Sequence, residues 1–99
     1  MDSWNGPTGL FIDNEFVPSI SGKTFPTVNP ANGEVICHVS EAGPEDVDKA
    51  VKSSRKAFQT WKNTTGQERA KLLHKFADLV QRDHKKLAEM ESLDIGMHI

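Results

Sequence analysis

The spacing of apolar and polar positions changes character near Gly43. Before it, short β-prone runs alternate with turn residues: Leu10-Phe11-Ile12 and Phe16-Val17 flank Asp13-Asn14-Glu15, the pattern of a β-hairpin. A second hairpin is expected from Thr24-Phe25-Pro26-Thr27-Val28 and Glu34-Val35-Ile36-Cys37-His38-Val39, joined through Asn29-Pro30-Ala31-Asn32-Gly33. In that joint Pro30 fixes φ at about −65° and Gly33 tolerates positive φ after Asn32. Pro26 has no N–H to give a ladder, so its strand belongs at an edge or an irregularity.

After Gly43 the period becomes helical. Val47, Ala50, Val51, Ser54, Ala57, Phe58 and Trp61 fall on one stripe of a first helix. Pro44 suits its first position, and Glu45, Asp46 and Asp48 place negative charge where the helix macrodipole favours it. Glu45 with Lys49 and Asp48 with Lys52 add i,i+4 pairs on the polar face. Asn63-Thr64-Thr65-Gly66 then breaks the pattern, and Thr65 with Glu68 forms a capping box that opens a second helix. Its stripe of Leu72, Leu73, Phe76, Ala77 and Val80 is expected to be buried. Asp83 is the expected N-cap of a third, shorter helix carrying Leu87, Met90 and Leu93 and ending at Gly96. The expected fold is therefore α+β: two N-terminal β-hairpins followed by two long α-helices and one short one.

Composition narrows the possible functions. Twelve Lys and Arg against 14 Asp and Glu give 99 residues a net charge of −2, with no basic excess to neutralise a nucleic acid or an anionic membrane. A chain this short buries only about 60 to 65% of its unfolded surface, so its core is thin. The single Cys37 allows no internal disulfide and suits a reducing compartment. Residues 1–9 contain Asp2 and no Lys or Arg, and no long apolar run follows, so the expectation is a soluble cytoplasmic protein.

Candidate chemistry is sparse. Cys37 adjoins His38, but neighbouring residues of a strand point to opposite faces, which separates thiol from base. His38, His74, His84 and His98 have no metal-ligand spacing. Lys49, Lys52, Arg55 and Lys56, interleaved with acids, read as a solvated helix face. Glu89 and Glu91 are not neighbours on one helix face, and the seven glycines are scattered singly, so no phosphate loop or dinucleotide fingerprint is present.

In order along the chain, Leu10-Phe11-Ile12-Asp13-Asn14-Glu15-Phe16-Val17 and Ser21 through Val35 resemble the N-terminus of the NAD(P)-dependent aldehyde dehydrogenase family. Glu45 through Val51 with Ala57-Phe58 and Trp61 is similar to that family's first helix. Glu68-Arg69, Leu72-Leu73 and Ala77 through Val80 are similar to its second, and Leu87 through Asp94 to its third. The resemblance covers residues 9 to 96. It implies the start of an α/β coenzyme-binding domain over residues 9–99, preceded by a flexible N-terminus over residues 1–8.

The same resemblance implies an enzyme that oxidises aldehydes to carboxylic acids through a thiohemiacetal and hydride transfer to NAD or NADP. The coenzyme-binding elements, oxyanion asparagine, glutamate base and nucleophilic cysteine of such enzymes have no counterpart here, and Cys37 does not match the nucleophile's motif. No bound cofactor and no catalytic residue is therefore expected in this chain, which by itself is expected to be inactive. One site carries over by position: Thr27, Val28 and Asp94 match a structural monovalent cation site built largely from backbone carbonyls. The family usually continues with lysine and proline after the Asp-x-Gly that Asp94-Ile95-Gly96 resembles, whereas Met97-His98-Ile99 follows here. That departure implies truncation before the cofactor and catalytic motifs. The alternative function is a non-catalytic interaction module that joins a full-length subunit or another partner through uncovered apolar stripes. Association with itself as a homo-oligomer is a further expectation; nucleic acid and membrane are not expected partners.

Overall fold

Asp13 and Asn14 both adopt positive φ, 53° and 64°, as a two-residue hairpin turn of the kind matching strand twist requires. Their short polar side chains tolerate that region, and the turn joins β1 (Leu10–Ile12) to β2 (Glu15–Val17). The register pairs Leu10 with Val17, Phe11 with Phe16 and Ile12 with Glu15. Glu15, expected within the turn, instead begins β2, because two residues suffice to reverse the chain. The rings of Phe11 and Phe16 meet across the pair with centroids 4.9 Å apart.

The computed structural model describes residues 2–98. Its second hairpin pairs β3 (Thr24–Val28) antiparallel with β4 (Val35–Ser40) in a separate two-stranded sheet. Pro26 sits opposite His38, on a strand with only one hydrogen-bonded neighbour, as its missing N–H requires. The register slips between Thr27, paired with Cys37, and Val28, paired with Val35, so Ile36 is the extra residue of a bulge.

Helix α1 (Pro44–Trp61) starts with proline in its first turn, and Asp46 completes the cap. The Gly43 N–H donates to Asp46 Oδ2 at 2.9 Å, and the Ile20 N–H donates to Asp46 Oδ1 at 3.0 Å. One buried carboxylate thus ties the segment after β2 to the start of the helix. Helix α2 (Gly66–Arg82) opens on the expected capping box: the Glu68 N–H donates to Thr65 Oγ1 and the Thr65 N–H to Glu68 Oε2, at 3.2 and 2.8 Å. Helix α3 (His84–Ile95) follows after the single residue Asp83 and ends at Gly96 with φ 73°. Asp83 is its N-cap, but its side chain makes no capping bond. The carboxylate turns instead to Arg82, accepting from Nε at 2.9 Å and Nη2 at 2.7 Å. A bidentate guanidinium outcompetes a backbone amide for that side chain.

The α+β architecture agrees with the sequence pattern; the burial does not. Ile12 is the one buried hydrophobic residue among those described. The α2 stripe expected to be buried lies in the open, with Leu73 68% and Phe76 65% exposed, and Phe58 of α1 is 55% exposed. The shape explains this. The extents are 49 × 35 × 17 Å and the radius of gyration is 16.9 Å, against about 13 Å for a folded domain of this length. The chain is a plate about one helix thick, so its amphipathic helices have no second layer to cover them.

Candidate functional site

Thr27 of β3 and Asp94 of α3 come together where the end of α3 reaches the second hairpin. Thr27 Oγ1 donates to Asp94 Oδ1 at 2.9 Å. Thr27 and Val28 flank the register slip in β3, where a bulge leaves part of the ladder unpaired. Asp94 lies in the last turn of α3. Unpaired carbonyls at a helix C-terminus present partial negative charge, and the last turn of α3 contains no basic residue to offset it. A hard cation is held by oxygen ligands. The Asp94 carboxylate and the Thr27 and Val28 backbone carbonyls are oxygen donors gathered near the end of α3. Val28 enters only through its backbone, and its side chain is exposed.

The other candidate residues are not brought together. Cys37 is half-buried and faces a cavity, while His38 next to it is exposed on the other face of β4. No thiol–imidazole pair forms, as the strand geometry anticipates. His84 Nδ1 stands 2.8 Å from the Gln81 carbonyl; a carbonyl only accepts, so that nitrogen carries the proton. His74 is exposed. Lys49, Lys52, Arg55 and Lys56 are all exposed, and Lys52 pairs with Asp48 at 2.9 Å, a solvated helix face. Among the described residues no three His, Cys, Asp or Glu side chains gather to hold a metal ion.

Charge is perturbed at the α2–α3 junction. The hydrogen bonds from Arg82 hold the Asp83 carboxyl below the ordinary aspartate range, and those same bonds raise the guanidinium further. Both groups are in solvent, which suits a helix joint rather than a reaction centre.

Two features escaped the sequence pattern. The role of Asp46 as a link to Ile20 spans 26 positions, which no local motif encodes; a buried acid in a first helical turn shows itself only when its partners are known. The second is a cavity of about 640 Å³ between β4, α2 and α3, with Trp4 on one side and Thr27 and Asp94 at its edge. Its apolar residues come from segments far apart in the sequence.

Residues 16–99 match the model of the aldehyde dehydrogenase family. The chain belongs to this family. It is 53% identical over 92 residues to cytosolic aldehyde dehydrogenase 1 of Elephantulus edwardii, covering 90% of this chain and 18% of that protein. It is 52% identical over 90 residues to the mitochondrial aldehyde dehydrogenase of Mesocricetus auratus, covering 88% of this chain and 18% of that protein. Among solved structures, HpcC from Thermus thermophilus superposes with a TM-score of 0.90 at 42% identity, over 93% of this chain and 18% of that one. The chain thus spans under a fifth of the length of the aldehyde dehydrogenases it matches. Two small sheets and three helices are the shared part.

Proposed function

We propose that this chain is the N-terminal portion of an aldehyde dehydrogenase and supplies the opening layer of its coenzyme-binding domain. The whole enzyme on this reading oxidises an aldehyde to a carboxylic acid and reduces NAD or NADP. The observation that carries it is the superposition on 18% of HpcC, combined with helix faces left bare at Phe58, Leu73 and Phe76. Bound NAD+ in the solved Bacillus cereus aldehyde dehydrogenase, 47% identical, supports the coenzyme class. The nucleophile, the base and the coenzyme site come from polypeptide outside the matched region, and this chain alone is inactive. Thr27, Val28 and Asp94 hold a structural monovalent cation that fastens α3 to the second hairpin. The free thiol of Cys37 and the cytosolic relatives support a cytoplasmic location, which fractionation against mitochondria tests. The purified 99-residue chain should give no coenzyme reduction with NAD or NADP and a short aldehyde; turnover by the chain alone, lost in Cys37→Ala, would contradict the proposal.

The bare helix faces also favour a second reading, an interaction module that joins an aldehyde dehydrogenase subunit. Contiguous apolar surface promotes association. Co-purification of the tagged chain with such a subunit, lost on Phe58→Ser with Phe76→Ser, supports this reading, and a monomeric, soluble chain that captures no subunit contradicts it. Among the described residues no helix is long and apolar enough to cross a membrane.

A further inference from the structure

Trp4 does not trail into solvent. Its indole Nε1–H donates to the Pro7 carbonyl at 3.1 Å, which bends the N-terminal segment back on itself. The ring lies over Gly6 so closely that a Cβ at that position would stand 1.9 Å from it. Lys86, in the first turn of α3, places Nζ 5.3 Å from the ring centroid, within cation–π range. Further along, the Thr8 carbonyl accepts the N–H of Ser40, the last residue of β4, at 2.9 Å. The segment is therefore fixed at two points, one at each side of the groove. Between them Trp4 walls a cavity whose other sides are Ile36 and Val39 of β4, Val80 of α2, and Leu87 and Met90 of α3.

We propose that the chain's own N-terminal segment, residues 2–8, is an intramolecular strap that forms one wall of the groove between β4, α2 and α3, anchored by Trp4. The chemistry fits this role. An indole placed against apolar walls gains from removal from water only if its N–H is satisfied, and Pro7 satisfies it within the same segment. The Lys86 ammonium interacts with the ring while remaining hydrated. Gly6 supplies the bare backbone that lets the ring fold over it. The segment acts as a strap across a groove that hairpins and helices alone leave open on that side.

The 99-residue chain contains two tryptophans, so Trp61→Phe leaves Trp4 as the sole emitter. Its emission should lie at shorter wavelength, and acrylamide should quench it several-fold less, in buffer than in guanidinium chloride. Gly6→Val and Lys86→Ala in that background should each move both readings toward the denatured values at unchanged helix content by far-UV circular dichroism, while Lys85→Ala should leave them in place. Equal emission and quenching in buffer and denaturant would overturn the proposal, whether the strap is loose or the chain unfolded. Insensitivity to both Gly6→Val and Lys86→Ala would overturn it as well.

Discussion

Thr27 and Asp94 stand 67 positions apart in the chain and 2.9 Å apart in space, the hydroxyl of one donating to the carboxylate of the other. The contact fastens the last turn of α3 to the irregular part of the second hairpin. It joins the last element along the chain to one near its start, in a molecule with almost no buried apolar core to do so. Polar links of this kind, Thr27 to Asp94 and Asp46 to Ile20, therefore hold much of the tertiary arrangement.

Removing the first link should be measurable. Thr27→Val and Asp94→Asn should each lower stability by about 1 kcal/mol, the usual net worth of one partly exposed hydrogen bond, with a coupling energy of similar size in the double-mutant cycle. If the pair also serves a monovalent ion, exchanging potassium or sodium for tetramethylammonium should lower the urea midpoint of the parent chain. Asp94→Asn should reduce that sensitivity.

Asp46 offers a sharper contrast. Its carboxylate accepts two backbone N–H groups from different segments, and the residue is 4% exposed. Asp46→Ala strands both donors in a part-buried place and should cost about 2 to 3 kcal/mol. Asp48→Ala, which removes only the exposed pair with Lys52, should cost no more than about 0.5 kcal/mol. Urea titrations of the two variants under one set of conditions compare them directly.

The capping box of α2 gives a local test. Thr65→Ala removes the oxygen that accepts the Glu68 N–H and should cost about 1 kcal/mol. The loss should appear as fraying at Gly66–Arg69 in amide hydrogen exchange, with α1 unaffected.

Asp83 should titrate below the ordinary aspartate range because Arg82 donates two hydrogen bonds to its carboxylate. A depressed folded-state value means the pairing is fully present above the unfolded value and is lost as pH falls through the folded one. The α2–α3 joint should therefore loosen only in acid, below the normal carboxylate range. Carboxyl NMR should show Arg82→Gln returning Asp83 upward toward that range.

Much of the fold was legible because its signals are local. The Asp13-Asn14 turn, Pro44 at the helix start, Thr65 with Glu68 and Gly96 at the helix end each act through neighbouring atoms, and the structure uses all of them. Burial was not legible from periodicity, since a stripe such as Leu73, Phe76 and Val80 records that a face is apolar without recording what lies against it. Asp83 also departed from expectation, because its neighbour Arg82 competes for the same carboxylate. The candidate site was half legible. Resemblance singled out Thr27, Val28 and Asp94, and the structure brings Thr27 against Asp94, but composition and spacing alone gave no hint of it. The Asp46 link and the Trp4 groove depend on contacts across the chain and left no sequence signal.

On the proposed reading, this 99-residue plate is one layer of an aldehyde dehydrogenase and is covered by the remainder of such a polypeptide. The most direct measurement is the mass of the native product in its source, detected with an antibody raised against Glu45–Trp61. A band several-fold above the 11.0 kDa of this chain, carrying NAD- or NADP-dependent aldehyde oxidation when immunopurified, is the predicted result. A product at 11.0 kDa that is monomeric and remains folded on its own would contradict it.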